Sequence, residues 1–218
     1  MTGGPYFFDA DYSETATLRD GTEVTLRLVR AADAELLRRG FRELSRQSRY
    51  RRFHAAKNAL SEAEVRYLTD LDAVDHCAIA ALGASDGSEI GLGVARFVRI
   101  REEPKVAEAA VTVIDAAQNK GLGSLLLARL VAAARERGIT KFRASVLRDN
   151  FPMLELVRAL NHGVSEVHHG DAVTLDVDLP DLPRDVASAP EHEPVRRVLA
   201  AAARSQSHHP LTEPLDRG

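Results

Sequence analysis

The sequence QNKGLG at residues 118–123 most constrains this chain, because it separates an apolar strand-like run at 111–114 from a helix-like run at 125–137. The first turn of a helix leaves several backbone N–H groups without partners, and the helix dipole adds partial positive charge there. Glycine lets an anion come close to such a backbone, since no side chain stands in its way. The turn therefore predicts a site for a phosphate or pyrophosphate, unless its glycines serve only a tight bend.

Composition argues against several kinds of partner and cofactor. The chain has 218 residues and a formal net charge of −3, a balance without global attraction to nucleic acid or to an anionic membrane. Its single cysteine, Cys77, excludes an intramolecular disulfide, and we expect a buried structural thiol in a reducing compartment. No stretch of about eighteen apolar residues occurs, residues 1–20 do not resemble a signal peptide, and the histidines lack metal-ligand spacing. We expect a soluble cytoplasmic protein that uses no metal.

Residue periodicity predicts an α/β (α+β) domain over residues 21–179. The order of its elements favours a central mixed, mostly antiparallel sheet with helices on both faces, and parallel pairing is expected only around the crossover at 105–146. Residues 1–20 are predicted to form an N-terminal arm or a loose first strand, and 180–218 a flexible tail rich in Pro and Ala.

The individual elements follow from alternation, helical spacing and caps. Asp33 is expected to cap the first helix, and Ser61 and Glu64 form a capping box ahead of the third. The predicted strands cover 21–28, 76–82, 89–100, 105–114, 141–146, 164–169 and 172–179. Besides the third helix, the predicted helices cover 33–44, 46–54, 125–137 and 152–160.

The turn and the asparagine that follows the next strand together match a known sequence pattern. The turn fits the pattern Gln or Arg, two residues, Gly, one residue, Gly or Ala, and Asn150 follows at the end of the next strand. With these motifs, residues 20–179 resemble the GNAT superfamily of acyltransferases. Three segments are similar to one branch, the Pat-like bacterial protein lysine acetyltransferases: LSRQSRYRRF at 44–53, AEAAVTV at 107–113 and NFPM at 150–153. The resemblance implies the GNAT fold, acetyl-CoA (coenzyme A) as the co-substrate and a protein lysine as the acceptor.

The resemblance also implies how the cofactor would be held. The backbone of one strand segment would hydrogen-bond the pantetheine arm, and one of its N–H groups would polarise the thioester. Asn150 would bind pantetheine or support the substrate channel; the alternative is that it caps the helix near Pro152. Lys120 is either a phosphate ligand or a solvated side chain. The full cofactor-binding set is Ala110, Val111, Thr112, Val113, Gln118, Asn119, Lys120, Gly121, Leu122, Gly123, Ser124 and Asn150.

Glu108 is the candidate general base. It lies in a strand between alanines, which leave room for a water molecule and a substrate amine. A lysine amine has a pKa of about 10.4, so a carboxylate, acting directly or through water, has to take its proton before attack. The resemblance puts the branch's catalytic glutamate at this position. The alternative is an ordinary charged residue on the exposed face of a strand.

Other features keep rival functions open. Many relatives carry a tyrosine general acid after the helix asparagine, where this chain has Val157, and no tyrosine follows Tyr67. The leaving thiolate would then depart unassisted or take a proton from water. A catalytically silent acyl-CoA-binding module and an acetyltransferase for small amines are therefore alternatives to a protein lysine acetyltransferase. The oligomeric state stays open, a homodimer included.

A basic stretch at 38–57 suggests further partners. Eight Arg and Lys residues fall within it. They could contact nucleic acid, an acidic protein surface or the 3′-phosphate of the cofactor. A solvated helical face is the common explanation of such a run, and we do not expect nucleic acid as a partner.

Overall fold

A single sheet organises the molecule. The computed structural model describes residues 6–85, 87–158, 160 and 164–180, so the predicted tail lies outside the described residues from 181 onwards. Within them, eight strands pair in the order β1-β2-β3-β4-β5-β6-β8-β7. The strands are β1 (Ser13–Thr17), β2 (Glu23–Leu28), β3 (His76–Ser85), β4 (Ser88–Ile100), β5 (Glu103–Val113), β6 (Lys141–Leu147), β7 (Val164–His169) and β8 (Ala172–Asp178).

Strand directions agree with the sequence prediction. Every neighbouring pair in this sheet is antiparallel except β5 and β6, which are parallel. A parallel pair needs a crossover connection, and here the chain between the two strands contains the longest described helix. The expected mixed, mostly antiparallel sheet is therefore confirmed.

Helices cover both faces of this sheet. On β4, Val94 and Arg96 line a cleft formed with the first three helices, whereas Ala95 and Phe97 are fully buried in the main core, which includes most of the fourth helix. Alternate residues of a strand point to opposite faces, so the two groups of helices lie on opposite sides. The described helices are α1 (Ala34–Arg42), α2 (Arg46–Phe53), α3 (Glu62–Thr69), α4 (Leu122–Glu136) and α5 (Phe151–Arg158).

One glycine sets the approach of α4 to the sheet. A Cβ at Gly93 of β4 would lie 2.9 Å from the Thr112 carbonyl oxygen and 3.0 Å from a methyl group of Leu126. Real Cβ atoms do not come that close to backbone, so only glycine fits between β5 and α4 here. This packing fixes the start of α4 against the strand that precedes the turn.

The N-terminal segment contributes to the core. Phe8 and Tyr12 are buried, and β1 pairs with β2 as the edge of the sheet. Arg129 of α4 donates to Glu14 of β1 at 2.6 Å, and the Tyr12 hydroxyl donates to the same carboxylate at 2.7 Å. The segment expected as an arm or a loose first strand thus contains an edge strand that is tied to the central helix.

The helix caps agree with the prediction at one helix and differ at another. Ser61 and Glu64 form the expected capping box at the start of α3. The carboxylate of Asp33 makes no cap to α1. It pairs with Arg27 at 2.7 Å and accepts the Arg30 N–H at 2.8 Å, because a short 3-10 turn at Ala31–Asp33 precedes the helix. Asp33 therefore has the expected N-cap position, but the expectation of a side-chain cap was wrong.

The parallel pair separates after three residues. Val106, Ala107 and Glu108 of β5 are aligned with Lys141, Phe142 and Arg143 of β6. Beyond them β5 continues to Val113 while β6 pairs only with β8. The sheet therefore opens at its centre between 109–113 and 144–147, directly ahead of the turn at 118–123.

Candidate active site

The opening between β5 and β6 leads into a cavity of about 300 Å³. Its walls come from these strands, from α2, from the start of α4 and from α5. Much of the predicted cofactor set lies together on this wall: Ala110, Val111, Thr112, Val113, Gln118, Asn119, Gly123 and Asn150. Lys120, Leu122, Ser124 and Glu108 each lie next to a lining residue in the chain without lining the cavity themselves, and Gly121 lies two residues from Asn119 and Gly123.

The turn has the backbone geometry of an anion site. Asn119 has φ 62° and Gly121 has φ 90°, both in the left-handed region. Lys120 between them has an ordinary negative φ, and left-handed residues that alternate with ordinary ones turn successive N–H groups toward one concave side. Across the described chain, none of the N–H groups of 119–124 has a backbone acceptor, and the first bond of the helix runs from Leu125 to the Gly121 carbonyl at 3.1 Å. Six amides at the positive end of a fifteen-residue helix are therefore free to bind a diphosphate.

Gln118 is an exception within the predicted set. Its backbone N–H donates to the Asp115 carbonyl at 3.3 Å, so it is not available to a ligand. Its side-chain Nε2 donates to the Val113 carbonyl at 3.1 Å and holds the end of β5. Gln118 shapes the turn, and the amide donors begin at Asn119.

Several side chains at the turn contact other parts of the protein. Lys120 pairs with Asp20 at 2.9 Å, and the hydrogen bond from Lys120, with further bonds from Thr22, lowers the pKa of Asp20 to about 2. Leu122 is buried in the core, which leaves only its backbone for a ligand. The Arg19 side chain lies against Gly121, with Nε 3.3 Å from where a Cβ would be. The electrostatics of the turn therefore include Arg19, which the sequence pattern did not indicate.

Glu108 is the last residue of β5 that is aligned with β6. Its neighbours across the strands are Val98 on β4 and Arg143 on β6. Two nitrogens of Arg143 donate to the Asp176 carboxylate at 2.8 Å, and Arg143 also donates to the Glu103 carboxylate at 2.8 Å. No hydrogen bond or ion pair involves the Glu108 carboxylate among the described residues. An exposed and uncommitted carboxylate therefore lies where the two strands separate.

Asn150 occupies the start of α5 and lines the cavity. Its backbone carbonyl accepts the Met153 N–H at 3.0 Å and the Leu154 N–H at 3.1 Å. In the part of the chain described here, its side-chain amide has no hydrogen-bonding partner and remains free for a ligand. Val157, the position that the resemblance assigns to a tyrosine, is buried about two helical turns further on and also lines the cavity.

Helix α2 links the two loops that carry the candidate cofactor residues, a contact that the sequence did not reveal. Asp115 accepts the Ser45 N–H at 2.9 Å and the Ser48 hydroxyl at 3.1 Å. Arg51 donates to the Asp149 carbonyl at 3.1 Å. The serine spacing in LSRQS was a usable signal for a helix cap, but its distant carboxylate partner was not visible in the sequence.

Most of the basic stretch at 38–57 is neutralised within the protein. Arg38 pairs with Glu62 at 2.7 Å, Arg39 and Arg42 with Glu35 at 3.4 Å, and Lys57 with Glu64 at 2.6 Å. Arg49 donates to the carbonyls of Leu44 and Arg42. These contacts favour the interpretation of this stretch as a helical face. Arg46, Arg49 and Arg52 have no acidic partner in the described chain, and of these three only Arg52 lines the cavity.

The remaining predictions concern the cysteine, metal ligands and membrane-spanning helices. Cys77 is fully buried in β3, and burial raises the pKa of its thiol to about 11, so the thiol stays protonated. The described residues contain no group of three His, Cys, Asp or Glu side chains that could hold a metal ion. None of their helices has both the length and the apolar composition needed to cross a membrane.

Comparison with known proteins gives the family. The sequence profile of the Acetyltransferase (GNAT) family matches residues 34–161. The chain is 33% identical over 165 residues to the acetyltransferase Pat of Mycolicibacterium smegmatis, which covers 76% of this chain and 48% of that protein. The chain thus spans about half the length of this relative.

Two solved structures are also similar to this chain. The GNAT domain of S. lividans PAT superposes with a TM-score of 0.70 at 32% identity, covering 79% of this chain and 99% of that one. An acetyltransferase from Salmonella typhimurium, solved with its cofactor acetyl-CoA, superposes with a TM-score of 0.54 over 78% of this chain and 98% of that one. At 19% identity, that likeness shows the fold alone.

The fold and the family profile define one class of protein. A sheet that opens at a single parallel pair, with a glycine turn and a helix behind it, is the GNAT fold. The chain belongs to the acetyltransferase (GNAT) family. Acetyltransferases of this family use acetyl-CoA as co-substrate.

Proposed function

We propose that this chain transfers an acetyl group from acetyl-CoA to the side-chain amine of a protein lysine. The observation that carries the proposal is the alignment of the β5–β6 opening with six free amides at the start of α4. A diphosphate on those amides would leave the pantetheine arm next to the open edge of β5. The thioester would then lie near Ala110, within reach of the strand's own N–H groups.

The reaction needs a neutral amine and a polarised carbonyl. The amine nitrogen attacks the thioester carbonyl carbon, a C–N bond forms and the C–S bond breaks. Glu108 would take the amine proton, directly or through water, because its carboxylate is exposed and uncommitted beside the opening. With Val157 in place of a tyrosine, the departing thiolate would take its proton from water. The protein-lysine acceptor rests on the three segments similar to the Pat-like branch.

Val157 also supports a second candidate, an acyl-CoA-binding module without catalysis. A buried valine at the cavity wall provides no proton for the thiolate. Such a module would bind coenzyme A through the same amides and release no product. An acetyltransferase for small amines would use the same groups as the lysine enzyme and differ only in its acceptor.

Labelled acetyl-CoA and a cell lysate distinguish these candidates. The protein is expected to label protein bands, and Glu108→Gln to reduce the rate by about a hundredfold or more with coenzyme A affinity retained. Glu102→Gln, on the exposed turn between β4 and β5, is the matched control and is expected to leave the rate unchanged. Label only in small molecules would favour the small-amine enzyme. Cofactor binding without transfer to any acceptor would favour the silent module.

A further inference from the structure

A second, smaller cleft of about 100 Å³ adjoins the cofactor cavity. Arg52 and Thr112 line both spaces, so the two are in contact. The smaller cleft lies between the sheet and helices α1 to α3. Its walls are mostly apolar, with residues such as Leu36, Phe41 and Phe53, yet they include two arginines, Arg52 of α2 and Arg96 of β4.

Neither arginine has an acidic partner in the described chain. Asp33 is the carboxylate on the cleft wall, and it is bound to Arg27 at 2.7 Å. Arg96 stacks over the Tyr67 ring at 5.0 Å, and its Nη1 is buried without a hydrogen bond. Burial, together with the charge of Arg96, lowers the pKa of Arg52 to about 10, which still leaves it protonated at neutral pH.

Two residues near this pair also have a buried nitrogen without a hydrogen bond. Three buried side-chain nitrogens lack a partner among the described residues, and they belong to Arg51, His76 and Arg96. Arg51 precedes Arg52 on α2, and the His76 ring packs on Tyr67 at 4.9 Å. Burial, with the charge of Arg96, lowers the pKa of His76. Of these three residues only Arg96 lines the smaller cleft. An unsatisfied guanidinium nitrogen, a second arginine without an acidic partner and no free acid on the wall indicate an anion supplied from outside the described chain.

The size and chemistry of the cleft define that anion. Guanidinium groups bind carboxylates through paired hydrogen bonds, and the gain is larger when the site is shielded from water. A volume of about 100 Å³ admits a carboxylate with a short aliphatic segment and excludes a nucleotide. The apolar remainder of the wall suits that aliphatic part.

The cleft lies beside the place where the acyl group would react. Arg96 is paired across β4 and β5 with Ala110, next to which the thioester would lie. Directly opposed residues of antiparallel strands have Cβ atoms about 5 Å apart. Arg96 therefore borders the position on β5 beside which the thioester would lie.

We propose that Arg52 and Arg96 form a carboxylate subsite, so that the substrate carries an anionic group close to the reacting centre. The location beside the thioester rests on the proposed function, but the binding site itself does not. The carboxylate can belong to the acceptor, as an acidic group near its amine, or to the acyl group of the donor. An acetyl group carries no negative charge that could pair with two guanidinium groups. Acetyl transfer alone therefore does not require this subsite.

Calorimetry with succinate tests the subsite without any turnover. Protein saturated with coenzyme A is expected to bind succinate at least tenfold more tightly than succinamide, its uncharged counterpart. Arg52→Gln and Arg96→Gln should each remove about tenfold of that affinity, and the Lys variants should restore part of it. Arg46→Gln, on the exposed side of α2, is the control and should change nothing. Unfolding midpoints of all variants establish that the comparison concerns folded protein.

Substrate pairs then assign the source of the carboxylate. Succinyl-CoA is compared with butyryl-CoA as donor, and lysine peptides with Glu beside the lysine are compared with Gln counterparts as acceptors. If the wild type prefers the charged donor and both arginine variants lose this preference, the carboxylate belongs to the acyl group. If the preference that is lost is for the Glu peptide, the carboxylate belongs to the acceptor. Equal binding of succinate and succinamide, or equal binding by wild type and both Gln variants, would overturn the subsite. Absence of transfer in every pair, with succinate still bound, would contradict the proposed function and leave the subsite supported.

Discussion

Ser48 of α2 donates a hydrogen bond to the carboxylate of Asp115, with 3.1 Å between Oγ and Oδ1. The second oxygen of the same carboxylate accepts the Ser45 N–H at 2.9 Å. Asp115 begins the short 3-10 turn that follows β5, and its carbonyl holds the Gln118 N–H. Asp115 therefore contacts both α2 and the start of the turn at 118–123.

This contact predicts a pH-dependent contribution to stability. Burial acts to raise the pKa of Asp115, but the hydrogen bonds from Ser45 and Ser48 outweigh it, so the pKa lies below its ordinary value. A lowered pKa in the folded state means that the stabilisation is present above a pH of about 4 and is lost as the pH falls through the folded pKa. Asp115→Asn should lower the free energy of unfolding by about 1 kcal/mol at pH 7, and less in acid.

Urea unfolding at neutral pH and at a pH of about 3 checks this, with Asp70→Asn as the control. Asp70 ends α3, is exposed, and has no side-chain contact among the described residues. An Asp115→Asn effect that stays the same in acid would contradict a role for the charged carboxylate. Asp115→Asn should also weaken coenzyme A binding, since the turn begins at this residue.

The turn itself gives a second prediction. Gly121→Ala places a Cβ in the left-handed region at φ 90°, against the Arg19 side chain. Gly138→Ala makes the same kind of change at φ 74° after α4, where a Cβ meets nothing within 4 Å. Each should lower the free energy of unfolding by about 1 kcal/mol, because both lose a conformation that glycine adopts freely.

Only the first substitution should affect the ligand. Gly121→Ala is expected to weaken coenzyme A by about tenfold or more, since it shifts amides that bind the diphosphate, whereas Gly138→Ala should leave the affinity unchanged. Dissociation constants measured on both variants decide this. Equal affinities would mean that the conformation of residue 121 does not matter to binding.

A third prediction concerns the edge strand. Glu14 and Arg129 form a buried ion pair between β1 and α4, at 2.6 Å. Glu14→Gln removes one charge and leaves the guanidinium buried, so it should destabilise the protein by about 3 kcal/mol. Glu62→Gln breaks the Arg38 pair, in which Glu62 is largely exposed, and should cost less than about 1 kcal/mol. Chemical unfolding of both variants is the measurement, and similar losses would contradict the structural role of β1.

How far the sequence predicted the molecule depended on the range of the interactions. The turn at 118–123 was visible because glycine, a preceding strand and a following helix are all local signals. The opening between β5 and β6 was not, since nothing in either strand announces that pairing stops after Glu108. The resemblance to a known family implied the cofactor-binding strand segment, but not the point at which the two strands separate.

The same limit explains the missed residues. Asp115 contacts serines from a distant part of the chain, and such a pairing leaves no mark in a single sequence. Arg96 had a weak signal, a charged residue inside the apolar run of β4, and its meaning depended on which residues of α2 and α3 would cover it. Asn150 could be described as a helix cap or as a ligand, and the structure leaves its side chain free while its carbonyl serves the helix.

The claim on which the account depends is that the amides of residues 119–124 bind the diphosphate of coenzyme A. Isothermal titration of the protein with coenzyme A and, separately, with pantetheine, which lacks the diphosphate, tests it most directly. We predict saturable binding of coenzyme A and affinity for pantetheine lower by about a hundredfold or more. No heat with coenzyme A at millimolar concentration, or equal affinity for pantetheine, would contradict the account.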